Sequence, residues 1–354
     1  MISSIDDVKN RLDSLIKKAR VDMYKPIQIA EVLRQSRLNK EIKIGDLEGF
    51  RNPSLHWRDE ITKRLLGKVS TSSARYQHDI WNGSAMPLHL LKILDKENKR
   101  TKGGVERYIY LRFNERQETV ASMISFIERA SPKNFRLDEL LEKFTRQAGI
   151  KRSVDKAYEI VAYSLFETVV SALQATIKVS VPSSSKNLLS EFSDLARVLL
   201  GVDASSPSWE TAAHIYRVGV TNAADRGLDM WANFGPAIQV KHLTLDSTQA
   251  QTIIDQVESD HIVIVCRDAD AKVIEVVAKQ INWGRRVRGI VRESELVAWY
   301  ERCLRGENAT ILAQPLLKRL SAGFMAEFPQ AGAMVEFLQE RGYLAAKADK
   351  AWDF

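Results

Sequence analysis

Cysteine is scarce: Cys266 and Cys303 are the two thiols of a 354-residue chain. They are too few for a disulfide framework and carry no metal-ligand spacing, so two ordinary buried thiols are expected. Long apolar runs are missing as well, since no stretch reaches the roughly 18 residues that a membrane span requires. No G-x-x-x-x-G-K-[ST] occurs, so neither a nucleotide-driven motor nor a nucleotide cofactor is expected. No G-x-S-x-G appears either, which leaves nucleophile-elbow hydrolases without a signature. The six histidines, His56, His78, His89, His214, His242 and His261, form no HExxH or paired-ligand spacing, and zinc is not expected. The opening Met1-Ile2-Ser3-Ser4-Ile5-Asp6-Asp7 lacks the basic and apolar regions of a secretory signal, and a cytoplasmic protein without membrane attachment is the expectation.

What is present is an ordinary globular composition, 45% hydrophobic and 27% charged with 17 Gly and 9 Pro. That excludes disordered, collagenous and low-complexity chains. The length favours two domains sharing an interface, or one large domain with an insertion. The net charge of +7 is unevenly distributed. Residues 1–152 hold 31 Lys plus Arg against 20 Asp plus Glu, a balance of +11, and residues 153–354 hold 21 against 25, a balance of −4. A basic half joined to a mildly acidic half describes a polyanion binder with a separate carboxylate-bearing site.

The first 150 residues read mainly as helices, with Ile5, Val8, Leu12, Leu15 and Ile16 at helical spacing and Ile27, Ile29, Val32 and Leu33 resuming it. Further helices are expected at 53–66, 120–129, 137–148 and 154–176. Tyr108-Ile109-Tyr110-Leu111 is strand-like. The basic stretch Lys96 to Arg107, with Gly103-Gly104, reads as a flexible loop able to wrap a duplex, and Val181 to Asn187 as a boundary loop. After residue 205 the texture alternates: a helix over 207–216, strands over 227–232 and 237–245, a helix over 247–257, a buried strand at Ile262-Val263-Ile264-Val265, a helix over 270–281, a strand over 287–291 and a helix over 294–304, then a helical tail. An α/β sandwich with a mixed sheet follows.

Within it, Asp225-Arg226-Gly227-Leu228-Asp229-Met230-Trp231 precedes Ala237-Ile238-Gln239-Val240-Lys241-His242-Leu243. Strand alternation puts Gln239 and Lys241 on one face, Ile238 and Val240 on the other, and directs His242 away from Lys241. A hairpin turn at Asn233-Phe234-Gly235-Pro236 brings Asp229 towards the same face. An acid, an amide and an ammonium then converge. Phosphodiester hydrolysis uses such a group: oxygen ligands hold a hard divalent cation, and a lysine orients the water or stabilises charge on the phosphorane. Without chemistry, Asp229 and Lys241 are simply a cross-strand ion pair.

This layout resembles the PD-(D/E)xK nuclease core. The resemblance matches Asp229 to the Asp, Gln239 to the second acid and Lys241 to the Lys. Gln in place of an acid contributes no charge, so another carboxylate is needed. Glu210, on the helix expected just before the hairpin, is the first candidate and Asp225 the second.

The longer string Arg226 to Asn233 through Ile238 to Leu243, with Trp57-Arg58-Asp59-Glu60 and Val69-Ser70-Thr71-Ser72-Ser73-Ala74-Arg75-Tyr76-Gln77, is similar to the HaeII family of type II restriction endonucleases. The resemblance implies Mg²⁺-dependent double-strand cleavage of a short palindrome, purine-GCGC-pyrimidine for that family, by a homodimer. Asp229, Gln239 and Glu210 would hold Mg²⁺. The implied fold is α/β: a mostly helical, basic DNA-recognition region over 1–180 and a PD-(D/E)xK-like catalytic domain with a helical tail over 181–354.

The segment Arg51 to Gln77 is rich in groups that contact double-stranded DNA. Arginine reads guanine bidentately, glutamine reads adenine, and hydroxyls reach phosphates. Arg75 and Gln77 are the candidate base readers; Arg58, Lys68, Ser70 and Ser72 are candidate backbone or groove contacts. Two other readings stay open, a structure-specific repair or recombination nuclease and a non-catalytic DNA-binding regulator.

Overall fold

The computed structural model of the chain describes residues 4–69, 80–146, 150, 153–218, 228–257, 259–270, 272–275, 287–328, 333–344 and 352. Helices fill the first half: α1 (Ile5–Lys18), α2 (Tyr24–Leu38), α3 (Leu47–Leu66), α4 (Leu88–Arg100), α5 (Gly104–Glu128), α6 (Leu137–Arg146) and α7 (Val154–Leu173). A small two-stranded unit follows, with β1 (Thr176–Ser180), the short helices α8 (Lys186–Glu191) and α9 (Ser193–Leu200), and β2 (Ser208–Ala212). Then come β3 (Ile215–Arg217), β4 (Met230–Ala232), β5 (Ala237–Leu245), α10 (Ser247–Gln256), β6 (Ile262–Ala269), β7 (Val287–Arg292), α11 (Glu293–Arg305), α12 (Ala309–Glu327) and α13 (Met334–Glu340).

The main sheet is mixed, in the order β3-β4-β5-β6-β7. Its first three strands pair antiparallel, and β5, β6 and β7 run parallel. β5 has the bounds its alternation predicts. Ile238 and Val240 join Met230, Ala232 and residues of α7 and α12 in one core. Ala237 and Leu245 pack with Ala250 and Ile253 of α10 in another, so helices cover both faces. Asp246 fixes the start of α10, accepting from Gln249 N at 2.8 Å in a reciprocal capping box.

A third core unites α1 to α4 and α5 as far as Phe113 with α13, Tyr343 and Trp352. The chain's end therefore returns to the N-terminal helices, while the second half of α5, from Val120, packs with α6, α7 and the sheet. Two cores thus meet along α5.

Three sequence expectations are corrected. Tyr108 to Leu111 lies within α5, where Tyr108, Ile109 and Tyr110 are all buried. A helix packed on several sides carries apolar residues all round and imitates a buried strand. Lys96 to Arg107 is no flexible loop: α4 and α5 are joined by the tight turn 101–103, and Gly103 supplies a positive φ of 101°. The expected helix over 207–216 is two strands, β2 and β3. Among the described residues no helix is long and apolar enough to cross a membrane.

Candidate active site

β4 is short, and its register pairs Met230 with Ile238 and Trp231 with Ala237, which sets Asp229 opposite Gln239. Where β4 stops, the Val240 N–H loses its strand partner, and a buried amide must find another acceptor. The Asp229 carboxylate takes that role. Its Oδ2 accepts from Val240 N at 2.7 Å and from Gln239 Nε2 at 2.7 Å. Gln239 is 3% exposed, while Lys241, two residues on, is exposed. Gln239 and Lys241 line one cleft of about 220 Å³ between β5 and α10, with Thr248, Gln249 and Thr252 opposite. His242 faces the other way and pairs with Asp155 of α7.

α7 brings further charge to this end of the sheet. Glu159 is 5% exposed, and Lys156 Nζ bonds both its oxygens at 2.7 Å. Arg217 of β3 reaches Glu159 Oε2 at 3.7 Å and Glu327 Oε2 of α12 at 2.5 Å. Burial raises the Asp229 carboxyl above its usual range; the Val240 N–H and the charges of Lys241 and Lys156 oppose the rise, and Asp155 adds to it. Burial likewise raises Glu159, against the hydrogen bond and charge of Lys156, and the nearby Asp229 raises it further. The two carboxylates thus influence one another in a partly dry place, with Lys156 and Arg217 compensating Glu159, and Lys241 and Lys156 opposing the rise at Asp229.

The other sequence candidates lie elsewhere. Glu210 is on β2, not on a helix beside the hairpin; it is exposed and stands opposite Lys178 of β1. Its expected helix does not form because 208–212 pairs with β1 instead. Arg58 is a correction too: it is 3% exposed, with Nε and Nη2 on Asp59 Oδ1 at 2.9 and 2.7 Å and its guanidinium over the Tyr24 ring. Its neighbours hold it inside the helical region rather than on a DNA-facing surface. Lys68 bonds Asp22 at 3.2 Å and the Glu327 carbonyl at 3.4 Å. Ser70, Ser72, Arg75, Gln77 and Asp225 lie outside the described residues.

Glu159, Lys156 and Arg217 were not singled out from the sequence. A signal existed for Glu159: with Glu167 it is one of two buried glutamates on an otherwise apolar stretch of α7. Glu167 has a structural task, accepting from Ile215 N at 2.7 Å to anchor β3. Glu159 has no such backbone duty.

Comparison with known proteins identifies the family. The family model of the HaeII restriction endonuclease matches residues 8–343. The chain belongs to the HaeII restriction endonuclease family. As a member it is a type II restriction endonuclease, a site-specific deoxyribonuclease. It is 46% identical over 344 residues to the type II restriction enzyme HaeII of Haemophilus aegyptius, covering 97% of this chain and 98% of that one. It is 43% identical over 338 residues to the type II restriction enzyme NgoBI of Neisseria gonorrhoeae, covering 95% and 96%. No solved structure matches it.

Proposed function

We propose that this member of the HaeII family cuts both strands of a short palindrome in double-stranded DNA, purine-GCGC-pyrimidine by family likeness, in a Mg²⁺-dependent hydrolysis on a PD-(D/E)xK-type core. The observation that carries the reading is the meeting of Asp229, Gln239 and Lys241 where β4 ends against β5, with Glu159 of α7 near enough for Asp229 to raise its pKa.

Among the described residues no three of His, Cys, Asp and Glu gather closely enough to form a complete metal cage. Mg²⁺ does not need one, because it keeps several waters and is typically held by one or two carboxylates together with substrate phosphate. Asp229 supplies a buried carboxylate, which fits such an ion, Gln239 beside it offers an amide oxygen, and Glu159, now paired with Lys156, is the further carboxylate we assign to the helper role. When bound, the ion polarises the phosphoryl oxygen and lowers the pKa of a water. The protein's own residues do the remainder. Gln239 and the Val240 N–H hold Asp229 in place, and Lys241 stands in the cleft where it can orient a water or meet the charge that grows on the phosphorus oxygens. Glu159 takes the helper role first given to Glu210.

Digestion of plasmid DNA of known sequence tests the proposal. Discrete fragments with Mg²⁺ and none with chelator are expected; smearing, or nicks confined to junctions, would instead mark a structure-specific nuclease. The two glutamates separate by the same assay. Glu159→Gln is expected to lower single-turnover cleavage about 100-fold and to raise the Mg²⁺ concentration needed, whereas Glu210→Gln leaves both unchanged. Equal effects of the two substitutions would remove Glu159 from the site. The basic N-terminal half makes a further expectation: affinity for duplex DNA falls with salt, the log–log slope being about −0.9 per phosphate contacted, as read by fluorescence anisotropy.

A further inference from the structure

Between α7 and β3 the chain makes an excursion that buries little of itself. β1 and β2 form an isolated antiparallel pair, with α8 and α9 in the connection between them. Across residues 174–212 only Leu189 and Val202 are buried, all five residues of β2 are exposed, and α9 buries none of its side chains. A lone strand pair is marginal in water without a face to pack on. Yet the tip is shaped by specific bonds: Trp209 Nε1 donates to Leu200 O at 2.5 Å, Arg197 Nη2 to Asp203 Oδ2 at 3.0 Å, and Ser206 N to Asp203 Oδ1 at 2.8 Å.

What the tip displays is apolar. Leu188 of α8, Phe192 at the break between the two helices, and Leu195 and Leu199, one turn apart on α9, are 60, 46, 51 and 70% exposed. Val198 beside them is 82% exposed. Packed helices turn such residues inward; here they face water, and a cluster of large exposed apolar side chains of this kind marks an interaction site.

Charge identifies the occupant. Residues 174–212 hold Lys178, Lys186 and Arg197 against Glu191, Asp194, Asp203 and Glu210, three against four for a balance of −1, in a chain of +7. A nearly neutral apolar surface is a poor match for DNA. It carries both signs around the cluster, as a self-complementary contact requires, so two copies meet without repulsion. A standard interface covers about 800 Å² per partner, an area that five such side chains with Leu173, Leu200 and Trp209 supply in order of magnitude.

We infer that the α8–α9 tip is the surface through which two copies of this chain associate about a two-fold axis, cluster against cluster. The consequence for cleavage rests on the restriction reading above, which calls for two active sites on one palindrome.

Sedimentation of the full-length protein and of Leu195→Glu/Leu199→Glu tests it. Wild type is expected at twice the 40.1 kDa chain mass, and the variant at the chain mass, with its dissociation constant raised about 30-fold or more and an unchanged melting temperature. Val198→Lys, at the most exposed position, provides a second variant should the first fail to fold. A monomeric wild type, or soluble variants that remain dimers, would overturn the inference. A monomeric variant that nicks rather than linearises plasmid supports both the interface and the two-site reading; one that still linearises it at full rate keeps the interface and removes the two-site reading.

Discussion

Lys241→Ala is expected to lower the single-turnover rate of DNA cleavage by about 10³-fold while leaving the melting temperature almost unchanged. The two halves of that expectation have separate causes. Lys241 is exposed on β5 and borders an open cleft, so truncating it removes no core packing, and surface changes of this kind usually fall within about 0.5 kcal/mol. A preorganised positive group aimed at developing charge is worth about 10²–10³ in rate, and loss of water orientation adds to that. A further readout separates chemistry from folding. Lys241 holds the Asp229 carboxyl down against burial. Removing it lets that pKa rise further, and because Asp229 must be ionised to act, the acid limb of the residual pH–rate profile should move to higher pH. Full Mg²⁺-dependent cleavage by Lys241→Ala would show that the chemistry takes place elsewhere.

How much of this site the sequence could disclose depended on the range of the interactions. β5 was legible to its ends because its alternation and the turn at 233–236 are local, and the Asp229–Gln239 pairing follows from hairpin register alone. Glu159 was not, since its approach to Asp229 is produced by the packing of α7 on the sheet, a tertiary fact without a local pattern. Glu210 failed for the converse reason: Pro207 and a helix-like rhythm named a helix, but Thr176–Ser180 was available as a strand partner, and pairing overrode propensity. Arg58 shows the limit of reading charge as surface. Composition marks an arginine as a DNA contact or a buried structural hub with equal ease, and only the positions of Asp59 and Tyr24 decide between them.

The largest stability effect is expected at Glu106, far from the chemistry. Its side chain has no exposure, and four bonds converge on it: Arg37 Nε and Nη2 each at 2.9 Å, Asn98 Nδ2 at 2.6 Å and the Tyr343 hydroxyl at 2.8 Å. α2, α4, α5 and the segment after α13 are thereby tied to one carboxylate. Replacing a buried ion pair by well-packed apolar groups can be neutral, but removing one member alone leaves the other charge without compensation. Glu106→Ala does the latter to Arg37, and strands Asn98 and Tyr343 besides. A loss of about 3–5 kcal/mol is expected, on the order of 10 °C in melting temperature. Tyr343→Phe deletes one neutral donor and should cost only about 1 kcal/mol. The pair gives the measurement its direction. Comparable losses would place the strength of this junction in the single bond from the Tyr343 hydroxyl, whereas a several-fold difference would place it in the full set of bonds, Arg37 and Asn98 included, that converge on the carboxylate. Arg107 and Glu31 reinforce the same seam, through Tyr343 O at 2.8 Å and Arg341 at 3.4 Å, so unfolding of the Glu106→Ala protein should begin with release of the C-terminal segment. Hydrogen exchange at residues 334–344, rising before that of the sheet, is the sign to look for.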